Sequence, residues 1–209
     1  MAARGRLITV EGVDGAGKTT LATGLVEALR ARGEAPVEAL REPGGVALAE
    51  RVRALVVDPA LRCDARAEAL LYAAARAQLV VERVEPLLAD GTWVVLDRFV
   101  DSSLAYQGAA RGLGVEEVRA LNAFATGGLE PDRTLLLEVE LATGRARQGG
   151  RGVTPDRLER EAEPFFAAVA DGYAALAEAE PRRIRRLDAG APPAVVLAAA
   201  LEAVADLLA

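Results

Sequence analysis

Eight residues constrain this chain more than any others. Gly12-Val13-Asp14-Gly15-Ala16-Gly17-Lys18-Thr19 follow the apolar run Leu7-Ile8-Thr9-Val10 and open a helical pattern from Thr20 to Arg32. The spacing is G-x-x-x-x-G-K-[ST] between a strand and a helix, the context a phosphate-binding loop requires. Glycines let the backbone curl until several amide N–H groups converge on phosphate oxygens. The N-terminus of the following helix adds its dipole. Lys18 brings a compact positive charge that a planar guanidinium would not replace in so tight a turn. Thr19 offers a hydroxyl to a divalent cation. Residues Gly12 to Thr20 are therefore the candidates for holding a nucleotide's phosphates. Of the 25 basic residues only Lys18 is a lysine, so the chain has no N-K-x-D guanine reader and is not a switch GTPase.

A loop of this kind needs a parallel sheet behind it, and the rest of the chain supplies the pattern. Short apolar runs at Leu7–Val10, Pro36–Leu40, Trp93–Leu96, Thr134–Val139 and Arg183–Leu187 alternate with helical segments. This predicts an α/β fold: a five-stranded parallel sheet with helices on both faces. The 209 residues suit one domain, 1–209, with a small mobile lid at about 142–156, where Gly and Arg crowd together. Asp64 is expected to cap a long helix with an apolar stripe at Leu70, Ala74, Ala77, Val81, Val84 and Leu88. Leu79 and Val80, beyond that stripe, are candidates to face a partner helix. Thr154-Pro155 reads as a helix start, and Pro164 as a kink or restart. The last helix should carry a stripe at Leu197, Leu201, Val204 and Leu208.

Charge and composition exclude several classes. A net charge of −6 and a pI near 5.0 argue against a nucleic-acid partner. Residues 1–9 lack the apolar core of a signal peptide, and no apolar run reaches the length of a membrane span. One cysteine, Cys63, allows no intrachain disulfide. The expectation is a soluble, cytoplasmic protein with no membrane partner.

The phosphate loop does not name a reaction. Val94-Val95-Leu96-Asp97 ends in an acid that could assist a metal, as in motor-type ATPases, but the following Arg98 points to a small-molecule kinase that grips an acceptor phosphate. Four further segments carry chemistry. Arg41-Glu42-Pro43-Gly44-Gly45 sets charge beside a rigid turn. Tyr72 and Arg76, at i and i+4, share one helix face, expected opposite the stripe at Leu70 and Ala74. Asp97 to Gly108 gathers Ser102 and Ser103, the chain's only serines, with Tyr106 and Gln107. It follows a buried strand, where ligand sites of open sheets lie. Arg145, Arg147 and Arg151 precede Asp156-Arg157-Leu158-Glu159. Read alone, the second and fourth segments could equally be solvated surface.

Taken in order, R-E-P-G-G and D-R-x-x-D-S-S-x-A-Y-Q-G together with the phosphate loop resemble the bacterial thymidylate kinase family over nearly the whole chain. The resemblance implies transfer of the γ-phosphoryl group of ATP to dTMP, with Mg²⁺ as cofactor, by a homodimer. It implies that Glu42, Pro43, Arg53, Tyr72, Arg76, Arg98, Ser102, Ser103, Tyr106 and Gln107 surround dTMP. Tyr72 stands where the family usually stacks a phenylalanine on thymine. Arg76 and Gln107 would bond the base, with Ser103 nearby, and Arg98 the acceptor phosphate. Asp14 matches the family's acidic loop position, near the sugar and a metal-bound water. Gly15 replaces an arginine found in some relatives, so Arg145, Arg147 and Arg151 would supply that charge, Arg147 and Arg151 catalytically and Arg145 on ATP. Thr19, Asp97 and Glu159 are the metal candidates. The acceptor is already anionic at neutral pH, so no general base is needed, and a chain without histidine suffices. Two other readings stay open at this stage: a kinase for a different nucleoside monophosphate, and a non-catalytic nucleotide-binding regulator.

Overall fold

A computed structural model describes residues 4–33, 35–149 and 155–208. Among them five parallel strands form one sheet in the order β2-β3-β1-β4-β5. The strands are β1 (Leu7–Gly12), β2 (Val37–Arg41), β3 (Trp93–Asp97), β4 (Arg133–Glu138) and β5 (Ile184–Asp188). All five fall where the apolar runs predicted. β1 lies between β3 and β4, with Val10 beside Asp97 and Gly12 beside Leu137. The loop after β1 and the residues after β3 therefore emerge side by side at the carboxyl edge of the sheet, where the strand order reverses and ligands bind in such folds.

Helix α1 (Lys18–Arg32) begins directly at the phosphate loop. Gly17 is its N-cap at φ 95°, with no side-chain cap and no acidic residue in the first turn. The helix thus leaves its positive end to a ligand, while Arg30 and Arg32 balance its negative end. One core layer packs α1, the last helix α9 (Pro193–Ala203) and α8 (Glu163–Ala179) around Ile8, Val10, Leu25, Leu135 and Leu137. The other packs α2 (Ala47–Val57) and α3 (Ala65–Leu79) over Leu7, Val94, Leu96 and Phe99. Each fully buried side chain of that size contributes roughly 1.5–3 kcal/mol.

Asp64 caps α3 as expected, accepting from the Arg66 amide at 3.0 Å. The helix continues through a π-helical stretch, Val80–Val84, into α4 (Glu85–Ala89). Val84 and Leu88 of the predicted stripe are buried as expected, but earlier in the helix the inward face differs from it. Leu70 and Val81 are 57% and 62% exposed and Ala74 is exposed, whereas Glu68, Ala69, Ala73, Arg76, Leu79 and Val80 are buried. Small alanines let α3 approach its neighbours, and the two charged residues turn inward because each finds oppositely charged partners there. Leu79 and Val80, nominated for a partner, pack within this chain's own core.

α5 (Val100–Ser103) likewise runs into a π-helical stretch, Leu104–Ala110, before α6 (Val115–Thr126). The Gly- and Arg-rich segment read as a mobile lid is helical up to residue 149, in α7 (Leu141–Gly149). Thr154 lies outside the described residues. Residues 155–160 form no helix after Pro155, only a turn at 157–160, and Pro164 restarts the helical pattern in the first turn of α8, one of its two expected outcomes. In α9 the buried positions are Val196 and Ala200, with Val204 just beyond, one residue off the predicted stripe except at Val204.

Candidate active site

The phosphate loop is held by its own geometry. Gly12, Gly15 and Gly17 have φ of 136°, 80° and 95°, conformations in which a Cβ would be strained. A Cβ on Gly15 would also stand 2.0 Å from the carbonyl oxygen of Gly144, so the loop touches α7 backbone to backbone. Val13 anchors the loop in the core, and its carbonyl accepts from Lys18 Nζ at 2.9 Å. Lys18 is 8% exposed. Burial, reinforced by the nearby Arg98 charge, pulls its ammonium down to about 8, against the pull of Asp14 and Asp97. Bound phosphate would repay that desolvation. Thr19 donates from Oγ1 to Asp97 Oδ2 at 2.7 Å. These two hard oxygen donors share a cavity with Gly15, Gly17, Lys18, Arg41 and Arg147.

Arg98 sits at the junction. It is the one non-glycine residue with positive φ among the described residues, at 71°, a conformation costing on the order of 1–3 kcal/mol. Its guanidinium donates to Asp14 Oδ1 at 2.6 Å, to the Gly12 carbonyl at 3.2 Å and to Ser102 Oγ at 3.0 Å. It also lies 5.2 Å above the Tyr106 ring. Burial alone would raise the Asp14 carboxyl, but Arg98 and Lys18 outweigh it and hold it at about 2.

Behind Ser102 stands Glu11, fully buried at the end of β1. It accepts from Ser102 Oγ at 2.6 Å, Tyr173 Oη at 2.8 Å and the Phe99 amide at 2.7 Å. Burial and then the charge of Asp101 push its carboxyl up to about 7. Glu11 was not among the sequence candidates. A charge inside an otherwise apolar strand was the available signal.

A second cavity opens from Arg98 away from the phosphate loop. All ten residues expected around the acceptor line it: Glu42, Pro43, Arg53, Tyr72, Arg76, Arg98, Ser102, Ser103, Tyr106 and Gln107. Asp14, Val57, Asp156, Leu158 and Glu159 complete the wall. Arg53 is fixed by a bond from Nη1 to the Pro43 carbonyl at 3.1 Å. Arg76 is 2% exposed and its guanidinium is engaged on all sides, by Glu42 at 2.7–2.8 Å, Ser103 Oγ at 2.9 Å, the Phe99 carbonyl at 2.9 Å and Asn122 Oδ1. Burial raises the Glu42 carboxyl against the pull of Arg76. Its Oε1 is buried without a hydrogen-bond partner. Asn122, the chain's only asparagine, was invisible in sequence because it comes from α6, far along the chain.

The arginines expected in a lid divide. Arg147 lines both the phosphate cavity and a neighbouring apolar one walled by Ala16, Thr20, Ala189, Pro193 and Leu197, and donates to the Ala189 carbonyl at 2.9 Å. That second space, beside the start of α1, has the size and lining of a base-binding slot. Arg145, expected on ATP, points elsewhere: it stacks 5.1 Å from the Phe166 ring and bonds the Glu161 carbonyl at 3.3 Å. Positions two apart on a helix face nearly opposite sides, so one helix cannot aim both at the loop. Arg151 lies outside the described residues. Glu159, expected at the metal, lines the acceptor cavity and accepts from the Asp156 amide, which it caps across the 157–160 turn. It is not among the residues that line the cavity of Thr19 and Asp97.

A phosphate loop on a β2-β3-β1-β4-β5 parallel sheet, facing an arginine-lined cavity across Arg98, defines a P-loop kinase of small molecules. The thymidylate kinase family model matches residues 10–199. The chain is 52% identical to a thymidylate kinase of Alkalilimnicola ehrlichii, over 97% of this chain and 94% of that one. It is 49% identical to a thymidylate kinase of Deinococcus radiodurans, over 90% and 91%. A crystal structure of thymidylate kinase from Ehrlichia chaffeensis superposes with a TM-score of 0.78 at 29% identity, covering 96% of this chain and 99% of that one. The chain belongs to the thymidylate kinase family.

Proposed function

We propose that the protein transfers the γ-phosphoryl group of ATP to dTMP, giving dTDP and ADP, as one kinase domain. The observation that carries the reading is the joining of two cavities at Arg98: one lined by Lys18 and Thr19, the other by Tyr72, Ser103 and Gln107. The triphosphate chain fits the curl of residues 12–19, with its adenine in the apolar slot beside Pro193 and Leu197. Tyr72 offers a ring for the acceptor base, and Arg98 a fork for its phosphate. The acceptor oxygen needs no base to deprotonate it. Catalysis then rests on alignment and on charge: Lys18, Arg98 and Arg147 neutralise the oxygens of the group in flight. Asp14 holds Arg98 in place for this.

Thr19 Oγ1 and Asp97 suit Mg²⁺, which takes one or two protein oxygens and completes its shell with phosphate and water. No cluster of three metal-binding side chains stands among the described residues, as such a site requires none. When bound at Thr19 and Asp97, Mg²⁺ would offset the negative charge of the phosphates.

No described helix is long and apolar enough to cross a membrane, and we infer a cytoplasmic enzyme acting on free nucleotides. We infer a homodimer through the neighbouring helices α2, α3 and α6, which expose Leu48, Leu55, Leu70 and Phe124. Phe124 is 91% exposed. A monomer mass by light scattering at micromolar concentration refutes the dimer. The activity is tested by following ADP release from ATP–Mg²⁺ with dTMP, dUMP, dCMP, dGMP and AMP. dTMP is expected to give the highest kcat/KM, and a higher value for any other acceptor refutes the assignment.

A further inference from the structure

Glu68 is a fully buried carboxylate, at 0% exposure in the first turn of α3. Its Oε1 accepts from Gln107 Nε2 at 2.9 Å and from Arg111 Nε at 3.3 Å. Its Oε2 accepts from Arg157 at 2.6 Å and Arg111 Nη2 at 3.2 Å. A carboxylate so placed only accepts hydrogen bonds, so it fixes which end of the Gln107 carboxamide faces it. The nitrogen must point to Glu68. The oxygen, which receives no bond from any described residue, is left on the wall of the acceptor cavity. Beside it Ser103 Oγ accepts from Arg76, which leaves its own proton free to donate. Arg76 itself has every N–H group engaged by protein.

We propose that Glu68 is a positioning residue that sets the base preference of the acceptor site by locking the Gln107 carboxamide with its oxygen toward the ligand. The inference rests on the dTMP reading above. Thymine presents an N3–H donor flanked by carbonyl acceptors, which an acceptor at Gln107 and a donor at Ser103 complement. Cytosine presents an unprotonated N3 and an amino donor, and would meet Gln107 oxygen against nitrogen lone pair. A carboxamide free to rotate would accept either base, because its two ends exchange roles. The fixed end is what discriminates, and it is fixed from a residue that never touches the ligand.

Arg157 extends the consequence. It joins Glu68 to the segment following the lid, and its Nε and amide also bond the carbonyls of Val56 and Val57 at the end of α2. The same carboxylate therefore fastens the base-reading amide and the chain leaving the lid.

The test compares kcat/KM for dTMP and dCMP in four proteins. In Glu68→Gln the residue at 68 can donate as well as accept, so the Gln107 amide can turn over. The dTMP:dCMP ratio should fall about tenfold, the scale of one misplaced hydrogen bond, chiefly through KM. The exchange Glu68→Gln with Gln107→Glu keeps the net charge and again places an acceptor-only group on the cavity wall, so the ratio should return. Arg111→Met removes a guanidinium from the same carboxylate; it should lower the melting temperature and leave the ratio intact. A merely structural Glu68 would give the same ratio in all four, and that result overturns the proposal. A wild-type enzyme that does not prefer dTMP overturns the underlying reading, and the inference with it.

Should Glu68→Gln not fold, the wild-type protein still decides. It has three glutamines and one asparagine, so its side-chain amide NMR spectrum holds few NH₂ pairs. The pair absent from Gln107→Glu should exchange slowly with solvent and stay slow with dTMP bound. Fast exchange in both states overturns the lock.

Discussion

Replacing Gly15 with alanine separates two costs that the structure superimposes. The first is conformational. Gly15 has φ of +80°, and an alanine there loses roughly 1–2 kcal/mol to the left-handed backbone. For a chain of this size that lowers the melting temperature by about 2–8 °C. The second is steric. The new methyl would stand 2.0 Å from the Gly144 oxygen and 2.7 Å from its carbonyl carbon. Neither is the tip of a flexible side chain, so a backbone must move. The loop is anchored by Val13 in the core, whereas α7 is mostly exposed, so α7 gives way by about 1 Å. Displacements of that size near reacting groups cost about 10²-fold in rate. Gly33→Ala supplies the control. Its φ is +71° and nothing lies within 4 Å of the added carbon, so it carries the backbone strain alone, far from the site. We expect similar melting temperatures for the two variants, but a kcat for Gly15→Ala about 10²-fold lower, with ATP affinity within a few-fold of wild type. Steady-state kinetics with both nucleotides and a thermal melt suffice. Equal kcat in the two variants would show that α7 need not dock on the loop for turnover.

Other expectations follow from the charges. Lys18→Ala should cut kcat by at least about 10²–10³-fold in a folded protein, since its ammonium meets charge that grows during transfer. The pH profile of kcat/KM for ATP should decline above about pH 8, where Lys18 of the free enzyme loses its proton; a profile flat to pH 9.5 contradicts this. Glu11, raised to about 7 by burial, is protonated more readily folded than unfolded, so its contribution is full below pH 4.5 and is lost as pH rises through 7. Glu11→Gln should remove that decline, on the order of 1–3 kcal/mol, and melts at pH 5.5 and 8 would expose an unchanged slope. Arg98→Ala should raise KM for every monophosphate acceptor while leaving their ranking unaltered, and a changed ranking in the acceptor panel would assign Arg98 to base recognition.

What could be read from sequence was what local chemistry dictates. The phosphate loop needs its residues consecutively, and the strands announce themselves as apolar runs, so both lay where they were expected. The wall of the acceptor cavity was legible only through resemblance, because its residues come from α2, α3, α5 and the turn after the lid. The errors have one cause. Periodicity assumes that apolar residues face inward, and α3 reverses that by burying Glu68 and Arg76 against partners 23 to 89 positions away. Its outward Leu70 was then counted as core. Arg145 and Arg147 were grouped because arginines near a glycine read as a loop, whereas a helix sends them to different sides. Glu11 and Asn122 each act through partners that no spacing in the chain reveals.

The buried position of Lys18 has a use apart from catalysis. With one lysine in 209 residues, a lysine-specific endoprotease has a single bond to cut, between Lys18 and Thr19 in the first turn of α1. Folded, that bond is closed to a protease, since Nζ is tied to the Val13 carbonyl and the turn is helical. Cleavage therefore waits on local opening of the phosphate loop, and under conditions where reclosing outpaces cutting its rate reports the free energy of that opening. A nucleotide that binds only the closed loop slows the cut in proportion to its occupancy. The unmodified chain thus contains its own footprinting probe, two fragments of about 18 and 191 residues on a gel, for an event that arginine-rich surroundings leave otherwise silent to that enzyme.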